Sequence, residues 1–276
     1  MTPIKSPVNT ETGALLSVED EAGTNQARAK EGMGGLAKGL AIIEAFGADT
    51  RRMTVSDAAH LADLSRPAAR RCLLTLVDLG YLAHDGKFFT PLPRMLRLGG
   101  AYLSTSSLSQ IAQPLLASAR DKLQESVSLA VLDEGYAVFI ARAEAVHIVS
   151  TGVKLGGRLP AYCSATGRVL LGGLPEQQAR AHLESVPMKR FTDRTVANLD
   201  GVLNAIRRAA EDGYAISDEE LEIGMSAMAV PVRNSAGQIE AALSVSVFSG
   251  RVNLETLREN FLPTLLETAG RLQRSL

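Results

Sequence analysis

Apolar positions along this chain change period near its middle. Over residues 35–46, Leu36, Leu40, Ile43 and Phe46 recur at helical spacing and predict an amphipathic helix. Between Thr54 and Tyr81 the pattern predicts two more short helices around a tight turn, Ala62-Asp63-Leu64. Ser56 is placed to cap the first of them and Ser65 the second. From Ser65 onward, Ala69, Cys72, Leu73, Leu76 and Val77 form a single buried stripe. Arg71 projects almost opposite that stripe, Arg70 lies on its flank, and Arg66 sits in the first turn. A short helix pair whose second member carries exposed arginines near its start is the helix-turn-helix pattern. An ordinary helical hairpin with a solvated basic face shares it. Residues 80–90 then read as a β-hairpin turning at Asp85-Gly86, and helix, turn, helix, hairpin is the winged variant.

Pro91-Leu92-Pro93 breaks the chain stiffly. A helix over 94–104 follows, with Met95, Leu96, Leu98, Ala101 and Leu103, more apolar than one small core stripe needs. It reads as a linker helix, open either to a dimer contact or to packing within its own chain. After another helix over 108–123 the pattern shortens. Residues 127–132 and 136–141 read as paired strands turning at 133–135, and 147–152 as a third. Residues 155–157 read as a loop. Helices follow over 165–171, 176–185 and 199–212, the last ending at Gly213. Strands over 214–217, 226–233 and 239–248 come next, the last two joined at 234–237. A long helix over 254–272 closes the chain, with Pro263 expected to bend it. Central strands, outer helices and an antiparallel hairpin define an α+β domain.

Composition sharpens this outline. The chain's 276 residues suit one large domain or two ordinary ones. The formal charge of −1 is unevenly spread: residues 1–33 hold 3 basic and 5 acidic side chains, 34–100 hold 9 and 6, and 101–276 hold 17 and 19. Only the helix-turn-helix stretch is basic. Its excess of +3 is too small to hold DNA by counterion release alone, so two copies or more are needed. Residues 1–33 have few large apolar residues and read as a disordered arm. Two cysteines imply no disulfide framework, and the absence of Trp argues against single-strand stacking platforms. No apolar run reaches the length of a membrane span and no signal peptide opens the chain, so a cytoplasmic location is expected, with no membrane partner.

Catalytic and metal chemistry finds little support. Gly32-Met-Gly-Gly-Leu-Ala37 imitates a dinucleotide fingerprint, but no strand precedes it and no βαβ unit follows. His60, His84, His147 and His182 have no metal-ligand spacing, so no metal is expected. Gly224-Met-Ser-Ala-Met228 fails the last position of a hydrolase elbow. Asp218-Glu219-Glu220 reads as a solvated turn. The alternative to a non-enzyme is an enzyme with a small ligand-binding sheet domain and Cys163 as nucleophile. That chemistry needs a base or resolving thiol, and the other thiol, Cys72, belongs to the helix-turn-helix. A packed or pocket-lining cysteine is the other reading of Cys163.

Six separated blocks carry a resemblance. They are Leu36-Ala-Lys-Gly-Leu40; Ala69-Arg-Arg71 with Leu79-Gly-Tyr81; Ser126-Val-Ser-Leu-Ala130; Leu159 to Arg168; Gly213 to Glu220; and Ala229-Val-Pro-Val-Arg233. In this order and spacing they resemble the isocitrate lyase regulator (IclR) family of bacterial transcription factors, over about residues 35–272. The block from Leu159 to Leu171 is most similar to the regulators of protocatechuate, 4-hydroxybenzoate and β-ketoadipate catabolism. Asp63 stands where the family often has Gly, a turn Asp still tolerates. Pro67-Ala68 stands where a Thr is usual, which removes a possible phosphate hydroxyl.

The resemblance implies a winged helix-turn-helix over 34–93, a linker helix over 94–107 and a GAF- or profilin-like effector-binding domain over 108–276. It implies a regulator with no cofactor, acting on double-stranded promoter DNA at a palindromic operator as a homodimer or dimer of dimers. The DNA-facing set is Ser65, Arg66, Ala68, Arg70, Arg71 and, at the wing tip, Lys87. The family's pocket positions match Ile148, Thr151, Leu159, Ala165, Thr166, Ser217, Met225, Ala227, Ser244 and Ser246, with Ser164 beside them. The subgroup implies an aromatic carboxylate as effector. Its acid group would sit on the first N–H groups of the 165–171 helix. Ser217, Ser244 and Ser246 would face ring substituents, and Leu159 and Met225 the ring. On the bland reading Ser164 only caps that helix and the two strand serines face solvent.

Overall fold

The computed structural model describes residues 32–47, 50–146 and 153–276. Residues 1–31 of the arm expected over 1–33 and the strand expected over 147–152 lie outside them, as do Ile148 and Thr151. The described residues form two compact units, one through Leu96 and one from Arg97.

The first unit is a winged helix-turn-helix. It consists of α1 (Gly34–Glu44), α2 (Val55–Leu61), α3 (Arg66–Asp78) and an antiparallel pair, β1 (Leu82–His84) with β2 (Phe89–Pro91). Met53 bridges to Phe89 and adds a third edge to the wing. Ile42, Met53, Ala69, Leu73, Leu82 and Phe89 are its innermost side chains. The cap of α2 is Thr54, not Ser56. Thr54 accepts from the Asp57 N–H, and the Asp57 carboxylate accepts from the Thr54 N–H, a reciprocal pair that Ser56 cannot form two residues on. Those backbone and hydroxyl donors hold the Asp57 carboxyl below its usual pKa. Asp63 takes the left-handed turn at φ 50°, as expected. Gly80, at φ 74°, ends α3, with the Tyr81 N–H reaching back to the Leu76 carbonyl. That is the physical content of the Leu79-Gly80-Tyr81 block.

The second unit opens with α4 (Leu96–Thr105), whose first residue is the last of the first unit and which falls within the stretch expected as a linker helix. This helix buries none of its residues, and Leu96, Leu98 and Tyr102 are exposed. Next come α5 (Ser107–Leu123), β3 (Ser126–Asp133), β4 (Tyr136–Ala143), β5 (Arg158–Pro160), α6 (Ala165–Leu171), α7 (Glu176–Glu184) and α8 (Leu199–Asp212). Then β6 (Ala215–Asp218), β7 (Met225–Arg233) and β8 (Ile239–Phe248) lead to a closing helical segment. That segment runs through Leu254–Thr256, a π-helical turn at Leu257–Phe261, and α9 (Leu262–Gln273). The irregular turn falls just before Pro263, which has no N–H for the regular ladder.

The strands form one antiparallel sheet in the order β5-β4-β3-β8-β7-β6. β5, unexpected from the sequence, pairs on the edge of β4. One face carries Val127, Leu129, Met228, Val230, Leu243 and Val245 against α5 and the C-terminal helix. The other carries Ala130, Ala137, Phe139, Ala229 and Ala242 against Ala165 and Val169 of α6 and Ala209 of α8. Because both faces are covered, β3 is buried almost throughout and shows no clean alternation. β4 holds one extra residue: Leu129 pairs with Ala141 and Ala130 with Phe139, so Ile140 forms a bulge.

Candidate functional site

On the first unit, Arg66, Arg70 and Arg71 are exposed along the outer face of α3, and none forms an ion pair with a described residue. Ser65 precedes the helix with an exposed side chain that makes no capping bond. Ala68 departs from the expected set. It is buried, 8% exposed, where Ser65 and the three arginines are exposed. At the wing, Asp85 Oδ1 accepts from the N–H groups of Lys87 and Phe88 at 2.9 and 2.7 Å. These bonds lower the Asp85 pKa and fix the tip. Phe88 is flanked by two cations, Arg52 4.2 Å and Lys87 5.0 Å from its ring centre. Arg52 was not legible as a wing residue. Only the Met53–Phe89 bridge brings it there.

The second unit assembles most of the expected effector residues. Ser217, Ala227, Ser244 and Ser246 lie on the sheet face that meets α6, with Ser217 opposite Ala227 and Ala227 opposite Ser246. Met225 precedes Ala227 on the same face by two residues, and Leu159 packs against that cluster from β5. Ser244 is 3% exposed and Ser246 is half-buried, so neither simply faces solvent. Ala165 and Thr166 are buried at the start of α6.

Two details alter the expected chemistry of that helix start. Ser164 Oγ accepts from the Gly167 N–H at 3.1 Å and donates to the Pro160 carbonyl at 2.9 Å. Its hydroxyl is occupied by capping. Gly167 is small for packing: a Cβ there would lie 2.1 Å from Ala161 Cα. The hydroxyl of Ser217 donates to the Cys163 carbonyl at 2.9 Å and keeps only acceptor capacity for a ligand.

Glu220 is no solvated turn residue. It is 6% exposed and receives both guanidinium nitrogens of buried Arg168 at 2.5 and 2.7 Å, plus the Val196 N–H at 3.1 Å. Arg168 also donates to the Tyr162 carbonyl. This buried pair ties α6 to the end of β6. An arginine inside an apolar helical run was the one available sign of it.

Cys163 is fully buried, and its Sγ lies 3.8 Å from the Pro160 carbonyl. Burial pushes the thiol up to about 12. A nucleophile needs a lowered thiol pKa and access, so Cys163 is a packing cysteine and no activated group. Separately, Gly172, Leu174, Ala179, Leu203 and Ile206 line a cleft of about 140 Å³ behind α6, which shares no residue with the expected effector set. Among the described residues no cluster of three or more His, Cys, Asp and Glu could hold a metal, and no helix is long and apolar enough to cross a membrane.

The surface of the first unit and the serine-bearing sheet face of the second describe a two-part, effector-responsive transcription regulator. Two family models match, the IclR helix-turn-helix domain over residues 35–86 and the bacterial transcriptional regulator IclR C-terminal domain over 100–274. The chain belongs to the IclR family. It is 40% identical over 235 residues to the Pca regulon regulatory protein of Pseudomonas putida, covering 85% of this chain and 81% of that one. It is 36% identical over 255 residues to the p-hydroxybenzoate hydroxylase transcriptional activator of Acinetobacter baylyi, covering 91% and 94%. A crystal structure of an IclR homolog complexed with 4-hydroxybenzoate, from Microbacterium hydrocarbonoxydans, superposes with a TM-score of 0.70 at 28% identity, covering 87% of this chain and 98% of that one.

Proposed function

We propose that this regulator binds a palindromic promoter site as a homodimer or dimer of dimers, in the cytoplasm, and that an aromatic carboxylate controls it. The observation that carries the effector reading is the patch of hydroxyls and methyls, Ser217, Ala227, Ser244 and Ser246, on the sheet face that meets α6. Such a surface offers a flat apolar ring both contact and a few oriented hydrogen bonds. The relatives above, one of them solved with 4-hydroxybenzoate, support an acid of that type. Ser65, Arg66, Arg70 and Arg71 face the major groove, while Lys87 and Arg52 meet the flanking backbone. The exposed apolar side chains of α4 support pairing of two chains, which also doubles the modest positive charge.

The test is direct. Operators are selected from a random-sequence DNA pool with the full-length protein, then titrated with and without 4-hydroxybenzoate or protocatechuate. The expected outcome is an inverted-repeat site and a shift in its binding or in promoter output with one of the acids. A non-palindromic site would remove the dimer reading. Indifference to every aromatic acid would remove the effector reading.

A further inference from the structure

We infer that Phe88 positions the wing's grip on DNA: its ring gathers Arg52 and Lys87 into one cationic platform that meets backbone phosphate. The inference rests on the DNA reading just given. Lys87 and Phe88 belong to the hairpin, whereas Arg52 comes from the stretch before α2. Met53 and Phe89 exchange both backbone hydrogen bonds, at 3.1 and 2.8 Å. That pairing makes Arg52 and Phe88 diagonal neighbours on one face, within reach of a long side chain and an aromatic ring. The Arg52 guanidinium carbon lies 4.2 Å and Lys87 Nζ 5.0 Å from the ring centre. The bonds from the Lys87 and Phe88 N–H groups to Asp85 Oδ1 fix the backbone that carries the ring.

The core of this unit makes little use of that ring. Phe89 is the wing phenylalanine buried in it, at 1% exposed, while Phe88 is only half-buried. Arg52 and Lys87 are exposed, and neither forms an ion pair with a described residue. The acid of the turn, Asp85, is engaged by the N–H groups of the tip. Arg94, the third stacked cation of the unit, makes the contrast. It lies over Tyr81 and also donates to the Leu79 carbonyl at 2.5 Å, so its guanidinium serves the end of α3. Arg52 has the ring alone among the described residues, and its planar fork of donors is open to a phosphate. A long side chain loses rotamer freedom when a phosphate fixes it, and one already stacked has less to lose. The negative face of the ring attracts both cations and leaves their outer sides to the solvent. Arg66, Arg70 and Arg71 on α3 have no such stacking partner among the described residues.

The experiment measures binding of the full-length protein to its selected operator and to a scrambled duplex of the same length, across a range of salt. Arg52→Ala should weaken both duplexes by the same factor and lower the salt slope by about 1 per protomer. Phe88→Leu keeps apolar bulk and removes the aromatic face. It should weaken both duplexes by about two- to tenfold per protomer, the scale of ordering one long side chain on binding, with the melting temperature down by a few degrees at most. Phe88→Tyr, which restores the face, should recover most of that loss. Added to Arg52→Ala with Lys87→Ala, Phe88→Leu should weaken binding no further, because it acts only through the two cations. A ring that touches DNA itself would weaken binding as much there as in the wild type, and that result overturns the assignment. Wild-type affinity in Phe88→Leu overturns it too, as does a Phe88 that neither Leu nor Met can replace without unfolding the winged unit. If Arg52→Ala leaves affinity and slope intact while Arg71→Ala weakens binding, the platform is overturned and the DNA reading of α3 stands. A wild type that binds neither duplex overturns both.

Discussion

In the winged unit the cations point outward: Arg66, Arg70, Arg71 and Lys87 are exposed on α3 and the wing. In the second unit the buried arginine Arg168 points inward, locked to Glu220. The difference follows from where each cation stands. A polyanion is met by solvated, mobile cations that release its counterions, so these residues contribute little to folding. A cation inside the fold has been stripped of water and must be held by a partner, as Arg168 is by Glu220. Mutations should therefore separate the units by the quantity they change.

The largest effect is expected at Arg168. Arg168→Ala leaves Glu220 buried without its partner and should destabilise the effector domain by about 3–5 kcal/mol. Denaturant unfolding checks this, and a loss under 1 kcal/mol would break the contrast. Ala165→Leu comes next. Ala165 is almost wholly buried, so the added bulk should cost about 1–3 kcal/mol. It should also abolish effector binding by calorimetry while leaving operator affinity intact. Normal effector affinity in a folded variant would move the pocket elsewhere.

Thr54→Ala removes the reciprocal cap of α2 and should cost about 1 kcal/mol, by thermal unfolding of the winged unit. Its partner Asp57 adds a pH signature. A depressed folded pKa gives stability that is present above the usual carboxylate range and is lost as pH falls through the folded value. That acid-side loss should shrink in the variant, which lacks the hydroxyl donor and keeps the backbone N–H of residue 54. Arg71→Ala should leave stability within about 0.5 kcal/mol, as at other exposed sites. A phosphate contact there predicts uniform weakening on all sequences and a salt slope lower by about 1 per protomer. Loss of preference at one operator position would instead make Arg71 a base reader. The smallest effect is chemical: at pH 8 iodoacetamide should modify partly exposed Cys72 and spare Cys163 in the native protein, read by mass spectrometry.

The sequence by itself determined what depends on neighbours along the chain. The stripe through Ala69, Leu73 and Leu76 defines α3, Asp63 and Gly80 sit where a left-handed turn is needed, and Gly213 ends α8. The block from Leu159 to Arg168 announced the start of α6, and two-residue spacing put Ser244 and Ser246 on one face. Tertiary structure alone decided the charges inside. Glu220 meets Arg168 from 52 residues away, which no local pattern reports. The face on which β4 sets Arg142 was hidden by parity. Counted along a regular strand, Arg142 falls on the face opposite Phe139, away from the effector side. The bulge at Ile140 consumes one residue, and Phe139 and Arg142 then share a face. A bulge depends on how two strands pair, so the position of this arginine is set by the sheet and cannot be counted from β4 alone.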